Sequence, residues 1–322
     1  DHIIFSQNAT TALNSAIFGL PLKEGDHLIT TSFEHNSIRR PLEKLAHEKG
    51  IEISYLQPDE NGTYSIDILK NEISENTKLV AVTHGSNVTG AIFPIEKWGA
   101  LLKEYDHITF LVDASQTAGV IPIRMKEMGI DLLAFPGHKG LLGPQGVGVL
   151  IVDPKIDLKP MFYGGTGANS EDPMQPKIWP IGWESGTLNT PGIAGLSKGI
   201  DMINEKGLDN IYEHEHQLVK RCIAGLEKIN GIEIFKSPDE NKQLGVVSFR
   251  IKGIDVHEIA LILDEHYDMA VRAGLHCAPL THEYLGTIET GLVRVSFGMY
   301  NTAEEVDAFL QALQEIVDGL LL

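Results

Sequence analysis

The fold is indicated most directly by the stretch DLLAFPGHKGL, residues 131–141. Its first five residues form an apolar run typical of a buried strand, and Lys139 follows in a glycine-rich turn. A second apolar run, Ile108 to Val112, ends in Asp113. If these runs are neighbouring parallel strands, the lysine and the aspartate lie at the same edge of the sheet.

This pair of residues indicates a cofactor. A lysine amine can bind the aldehyde of pyridoxal 5'-phosphate covalently, and a carboxylate can keep the pyridine nitrogen of that cofactor protonated. Lys139 and Asp113 therefore predict a pyridoxal phosphate site, and the alternative is a structural lysine in a glycine-rich turn.

The first two-thirds of the chain alternates strand-like and helix-like segments. Apolar runs, from Leu28–Thr31 to Val147–Val152, are separated by amphipathic stretches or turns. This alternation predicts an α/β fold, a mostly parallel sheet with helices on both faces. From Asp157 to Pro191 a long loop rich in Gly, Pro and aromatic residues follows, and such a length is typical of a functional or interface segment.

A smaller C-terminal α+β domain is predicted beyond a long helical pattern, Ile193 to Asn230, which has breaks at Gly199 and Gly207. We expect a large domain of residues 1–206 and a small domain of residues 207–322. Because the chain opens inside a strand-like run and without methionine, an N-terminal segment of the large domain is expected to be missing.

Composition limits the partners. A formal net charge of -18 and a pI near 5.1 disfavour nucleic acid, which is usually bound by a basic face. No apolar run approaches the roughly 18 to 20 residues of a membrane helix, and no charged-then-apolar leader opens the sequence. We therefore expect a cytoplasmic protein that binds neither nucleic acid nor a membrane.

The two cysteines, too few for a disulfide framework, differ in their surroundings. Cys222 lies in a helical pattern and is predicted to be a small core residue. Cys277 lies in the loop RAGLHCAP, residues 272–279, beside a histidine. This pattern fits a reactive and a structural role equally well, because thiolate character depends on surroundings that a sequence does not show.

Candidate phosphate and ring contacts lie near the N-terminus of the chain. Ala9 and Thr10 open an apolar-periodic segment, where helix amides and a hydroxyl form an anion site, or where Thr or Asn is simply a cap. His35, after the second strand, could stack on a flat ring or pass protons, or be a surface histidine. The run His214-Glu215-His216 is predicted to be a solvated helix face, and no metal site is expected.

Five ordered motifs cover essentially the whole chain: THGSN at 83–87, VDASQ at 112–116, GHK at 137–139, ESGTLNT at 184–190 and RAGLHC at 272–277. With them the chain resembles the class V aminotransferase superfamily of fold-type I pyridoxal phosphate enzymes. The cysteine loop is similar to that of the group II cysteine desulfurases and their selenocysteine lyase relatives.

The resemblance implies roles for the candidate residues. Lys139 would hold pyridoxal phosphate covalently, and Asp113 would pair with its ring nitrogen. The remaining implied cofactor contacts are His35 on the ring, Asn87 and Gln116 on the phenolic oxygen, and Ala9, Thr10 and His138 on the phosphate. Thr187 would reach the phosphate of the partner subunit in a homodimer.

The implied activity is that of a pyridoxal phosphate-dependent cysteine desulfurase, which converts L-cysteine to L-alanine. Arg294 and Asn87 would bind the substrate, with Arg294 on its carboxylate, and Cys277 would take the sulfur as a persulfide before a protein acceptor receives it. One alternative is a selenocysteine lyase or another class V reaction in which Cys277 is incidental. Another is a non-catalytic sulfur-relay or assembly protein.

One position departs from the pattern. Close relatives usually have a serine two residues before the histidine of the GHK motif, whereas this chain has Pro136. Proline offers neither a hydroxyl nor an amide donor, and the loss of one charge-assisted hydrogen bond costs about 1.5–3 kcal/mol.

Overall fold

The computed structural model describes residues 2–320. Its strands are β1 (Ile3–Ser6), β2 (His27–Thr31), β3 (Glu52–Leu56), β4 (Thr77–Thr83), β5 (Thr109–Asp113), β6 (Leu132–Pro136), β7 (Gly148–Val152), β8 (Ile232–Phe235), β9 (Val246–Ile251), β10 (Arg272–Gly274) and β11 (Leu292–Ser296). Its α-helices are α1 (Ala9–Gly19), α2 (Asn36–Lys49), α3 (Ile66–Glu72), α4 (Ile95–Leu102), α5 (Thr190–Lys206), α6 (Leu208–Leu226), α7 (Val256–Tyr267), α8 (Pro279–Tyr284) and α9 (Ala303–Leu320).

The first seven strands form one sheet in the order β1-β7-β6-β5-β4-β2-β3. The strands from β6 to β3 in this order pair in parallel, whereas β7 pairs antiparallel with both β6 and β1. The prediction of a mostly parallel sheet is confirmed. Asp113 pairs with Thr83 on one neighbouring strand and with Ala134 on the other, so three carboxyl ends meet at one edge.

Helices cover both faces of this sheet, as predicted. Leu150 packs in a core with Leu13 of α1 and Leu42 of α2. Val149, the preceding residue of β7, packs instead with Leu196 of α5. Because successive strand residues point to opposite faces, α1 and α2 lie on one face and α5 lies on the other.

The chain divides into two compact units. The first comprises the chain up to His84 together with Pro94–Lys206, and the second comprises Gly85–Phe93 and the chain from Gly207 onward. No feature of the sequence pattern pointed to the inclusion of Gly85–Phe93 in the second unit.

The second unit is built on an antiparallel sheet in the order β10-β11-β9-β8, whose apolar residues pack against α6, α7 and α9. Cys222 of α6 is fully buried in this core, as predicted. The segment Gly85–Phe93 is bonded to the same unit, since Ser248 Oγ of β9 donates to Val88 O at 2.6 Å.

Two local predictions were wrong. Gly199 does not break α5; instead its missing side chain lets the helix pass the backbone, because a Cβ there would lie 2.2 Å from Leu141 O. Glu215 and His216 are not solvated, since their exposed fractions are 7% and 6%. The break at Gly207 is confirmed, and its φ of 85° separates α5 from α6.

Candidate active site

Predicted cofactor residues of the first unit lie at the carboxyl edge of its sheet. Lys139 follows β6, and Asp113 ends β5 with an exposed fraction of only 2%. Asp113 Oδ1 accepts a hydrogen bond from the Ser115 amide at 2.9 Å, which fixes the carboxylate. Gln116 lies in the same turn.

Two glycines hold the turns after β5 and β6 in backbone contact. A Cβ on Gly119 would lie 2.4 Å from Gly140 O, and a Cβ on Gly140 would lie 2.6 Å from Ala118 O. Gly119 also has a φ of +83°, where side chains other than hydrogen are strained. The glycines therefore keep the turn that follows Asp113 beside the turn that contains Lys139.

Helix α1 begins at this same edge. Ser6, at the end of β1, pairs with Gly148, which pairs in turn with Pro136. Asn8 caps α1 through its side chain, which accepts from the Thr11 amide at 2.9 Å. The amides of the first helical turn have no intrahelical acceptor, so Ala9 and Thr10 lie where an anion is favoured.

A line of hydrogen bonds connects α1 with α2. Thr10 Oγ1 lies 2.7 Å from Ser37 Oγ, which lies 2.9 Å from His35 Nδ1. His35 is the N-cap of α2, and its Nδ1 accepts from the Ser37 amide at 3.1 Å. Because Nδ1 is an acceptor, the neutral imidazole carries its proton on Nε2. Ser37 was not predicted from the sequence, because its contact with Thr10 joins residues 27 positions apart.

His138 and Pro136 flank the lysine turn. Burial, together with the charge of the neighbouring Lys139, lowers the pKa of His138, so its ring is neutral at physiological pH. Pro136 lies beyond the last parallel pair between β5 and β6, Asp113 with Ala134, so its missing amide interrupts no bond between these strands.

Thr187 lies exposed in the irregular segment between β7 and α5. It helps to line a cavity of about 180 Å³, together with Phe162 and Glu184. Large apolar side chains of the same segment are exposed, with exposed fractions of 50% for Phe162, 70% for Tyr163 and 73% for Met174.

In the second unit, Cys277 lies among basic and amide groups. Arg272 Nη2 contacts Cys277 Sγ at 3.5 Å, and Arg272 pairs with Arg294 across β10 and β11. Arg294 Nη1 donates to Asn87 O at 3.1 Å, and Asn87 Nδ2 donates to His276 O at 2.7 Å. The structure thus brings Cys277, Arg294 and Asn87 together. The structure adds Arg272 to this group. Its place five residues before Cys277, in the same loop motif, is the feature of the sequence that could have pointed to it.

Burial shapes the charges in this cluster. Burial, and then the neighbouring Arg272, lower the pKa of Arg294 to about 10, so the guanidinium stays charged at neutral pH. Burial, and then the charge of Arg294, lower the pKa of His276 to about 3, so its ring is neutral. Arg294 Nε is buried and has no hydrogen-bond partner within residues 2–320. A charged group with an unpaired donor fits a carboxylate ligand.

The backbone at the cysteine is unusual. His276 and Cys277 have φ values of 51° and 59°, in the left-handed region that non-glycine residues rarely adopt. Such conformations persist where the surrounding structure holds them, and they cluster at functional sites. Cys277 therefore lies at a strained backbone position, as functional residues often do.

Comparison with known proteins decides the family. The family model described as Aminotransferase class-V matches residues 1–309. The chain belongs to the aminotransferase class-V family. The resemblance carried by the five motifs is thereby confirmed, and members of this family are typically pyridoxal phosphate-dependent.

Curated relatives of this class-V chain include probable cysteine desulfurases. One, from Pyrococcus abyssi, is 38% identical over 329 residues, which cover 99% of this chain and 80% of the relative. Another, from Methanothermobacter thermautotrophicus, is 35% identical over 321 residues, which cover 98% of this chain and 79% of the relative.

Solved structures give the same result for the class-V fold. The apo structure of the cysteine desulfurase from Thermococcus onnurineus NA1 matches with a TM-score of 0.91 at 36% identity, covering 99% of this chain and 80% of that chain. The S-sulfonic acid form of the cysteine desulfurase CsdA from Escherichia coli matches with a TM-score of 0.89 at 25% identity, covering 98% and 79%. Across the described part of the class-V chain, no helix is both long and apolar enough to cross a membrane.

Proposed function

We propose that the chain is a pyridoxal phosphate-dependent cysteine desulfurase that converts L-cysteine to L-alanine and keeps the sulfur as a persulfide on Cys277. The observation that carries this proposal is the cluster of the second unit. There Cys277 Sγ lies 3.5 Å from Arg272 Nη2. Arg272 is opposite Arg294 on the neighbouring strand, and Arg294 has a buried Nε donor that fits a carboxylate ligand. A probable cysteine desulfurase and a solved cysteine desulfurase structure also match this chain over nearly its full length.

The first unit offers a donor set that fits pyridoxal phosphate. Lys139 would hold the aldehyde carbon, the buried Asp113 carboxylate would hold the proton of the ring nitrogen, and His35 would lie on the ring. The first turn of α1, with Ala9 and Thr10, and the side chain of His138 would hold the phosphate. We assign Asn87 and Gln116 to the phenolic oxygen, as the motifs imply.

When bound, this cofactor supplies a protonated ring that withdraws electrons from the Cα of the attached amino acid. Arg294 holds the substrate carboxylate through its guanidinium fork, with Asn87 bonded to it at 3.1 Å. The Lys139 amine moves the proton at the substrate Cα. His35 keeps a proton on Nε2, since its Nδ1 accepts from the Ser37 amide.

Sulfur transfer needs no external oxidant. The Cys277 thiolate attacks the sulfur of the substrate, an S–S bond forms, and the Cβ–S bond of the substrate breaks. The electron pair of the broken bond remains on carbon, which takes up a proton and becomes the methyl group of alanine. Arg272, at 3.5 Å from Sγ, places a positive charge beside the attacking sulfur.

We also propose a homodimer in which Thr187 reaches the phosphate bound by the partner subunit. The exposed apolar side chains of the same segment, Phe162, Tyr163 and Met174, support an interface there. A protein that accepts the sulfur from Cys277 belongs to the same proposal.

The test measures alanine and sulfide from L-cysteine with wild-type protein and Cys277→Ala. Cys277→Ala is expected to lose alanine production while it still binds pyridoxal phosphate. Cys222→Ala is the matched control, because burial raises the pKa of that thiol to about 12 and removes it from the chemistry. Alanine production at the wild-type rate by Cys277→Ala would show that the persulfide role is wrong.

A further inference from the structure

A buried glutamate next to His35 has no assigned role. The exposed fraction of Glu34 is 0%. Its Oε1 accepts from the Thr31 hydroxyl at 2.6 Å and from the Thr83 amide at 3.1 Å. Its Oε2 is buried and has no hydrogen-bond partner among the residues that the structure describes.

Glu34 connects the ends of neighbouring strands. Thr31 is the last residue of β2, Thr83 is the last residue of β4, and these strands pair in the sheet. Thr83 also pairs with Asp113, whose carbonyl accepts from the His84 amide at 2.9 Å. The carboxyl group of Glu34 therefore connects the turn after β2 to the end of β4, which pairs with Asp113 of β5.

The surroundings of Glu34 favour its uncharged form. Both donors that reach Oε1 are neutral, and a wholly buried carboxylate with one unpaired oxygen would carry a large desolvation cost. Titratable groups that face it are Asp113 from β5 and Tyr64 from the segment before α3. Along the chain, His35 follows Glu34 and His84 follows Thr83. Burial raises the pKa of Glu34 to about 8. The hydrogen bonds from Thr31 and Thr83 lower this pKa, and the charge of Asp113 raises it further.

We propose that Glu34 is a positioning residue which, as an uncharged carboxylic acid, ties the turn bearing His35 to the end of β4 beside Asp113. This inference rests on the proposed function, in which His35 and Asp113 contact the cofactor. An uncharged Glu34 leaves Asp113 as the negative charge at the ring nitrogen and adds no second buried charge beside it.

Two substitutions separate charge from hydrogen bonding. Glu34→Gln keeps the shape and the accepting oxygen without the titration, whereas Glu34→Ala leaves the Thr83 amide without its acceptor. Glu34→Ala is expected to weaken pyridoxal phosphate binding by roughly 5- to 150-fold, and Glu34→Gln is expected to bind as wild type. Wild-type affinity in Glu34→Ala, or equal weakening in both variants, would overturn the proposal.

The uncharged state has its own readouts, which need no cofactor. At pH 7 the infrared spectrum of the apo protein is expected to contain a carboxylic acid carbonyl band that Glu34→Gln lacks. The ordinary pKa of a glutamate is 4.5, and the pKa of Glu34 in the folded protein is about 8. Between pH 4.5 and pH 8, Glu34 therefore loses its proton in the unfolded chain but keeps it in the folded protein. As the pH rises through this window, the unfolding constant of the wild type is therefore expected to increase relative to that of Glu34→Gln, on the order of a thousandfold in all.

An unchanged infrared spectrum, or a ratio of unfolding constants that does not depend on pH, would show that Glu34 is charged and would overturn the proposal. Glu215→Gln is the matched control, because burial raises the pKa of Glu215 to about 7 in the second unit. Glu215→Gln is expected to leave cofactor affinity unchanged, and weakening as large as in Glu34→Ala would also count against the inference. Failure of the proposed function is distinguishable, since it would appear as loss of desulfuration in wild-type protein while the infrared comparison still holds.

Discussion

Gly119→Ala tests whether the contact between two turns builds the cofactor site. The added Cβ would lie 2.4 Å from Gly140 O, and overpacking of this kind costs about 1–3 kcal/mol. The φ of +83° adds left-handed strain of about 1–2 kcal/mol for alanine. Together the two effects are expected to lower the free energy of unfolding by about 2–5 kcal/mol.

Two controls in the same unit separate the two contributions. Gly25 has a φ of +81° with nothing within 4 Å of an added Cβ, so Gly25→Ala measures backbone strain alone. Gly165 has the same open surroundings and no left-handed φ, so Gly165→Ala is expected to change stability by less than about 1 kcal/mol.

The assay is urea unfolding of the apo protein, followed by titration with pyridoxal phosphate. Because the alanine displaces the turn that follows Asp113 and contains Gln116, Gly119→Ala is expected to bind the cofactor about 5- to 10-fold more weakly, the effect of one hydrogen bond. If Gly119→Ala were as stable as Gly25→Ala and bound the cofactor as wild type, the turn contact would not constrain the site.

Three further predictions concern single contacts. Arg294→Lys is expected to raise KM for L-cysteine about 10- to 100-fold with a smaller effect on kcat, since lysine has no bidentate fork; steady-state kinetics check it. Pro136→Ser is expected to tighten pyridoxal phosphate binding about tenfold by adding a hydroxyl donor, which cofactor titration measures. Ser248→Ala removes the donor to Val88 O and is expected to lower the free energy of unfolding by about 1–3 kcal/mol, measured by urea unfolding.

Much of the first unit could be predicted from local patterns. Apolar runs fixed the positions of the strands, and the carboxyl ends of parallel strands share an edge, so Asp113 and Lys139 were expected together. Their positions along the chain were sufficient, because Asp113 is the last residue of β5 and Lys139 lies in the turn just after β6.

Contacts between distant residues could not be read in this way. Glu34 bonds an amide 49 positions away, and Ser37 contacts Thr10 across 27 positions, so no local window contains both partners. Glu215 was misread because its charge suggested exposure, whereas Gly245 leaves room for it: a Cβ there would lie 3.2 Å from Glu215 Oε2.

The membership of Gly85–Phe93 in the second unit has a consequence for dissection of the protein. A fragment that starts at Gly207 would lack the carbonyls of Val88, Thr89 and Asn87. These carbonyls accept from Ser248, Gln243 and Arg294, so the fragment would lose three hydrogen bonds. Gln243 Nε2 would keep the carbonyls of Leu244 and Val246 as acceptors. The C-terminal part is thus not a self-sufficient module that can be expressed alone or exchanged between relatives by a single crossover. A transplant that keeps its fold must carry the nine-residue insert with it.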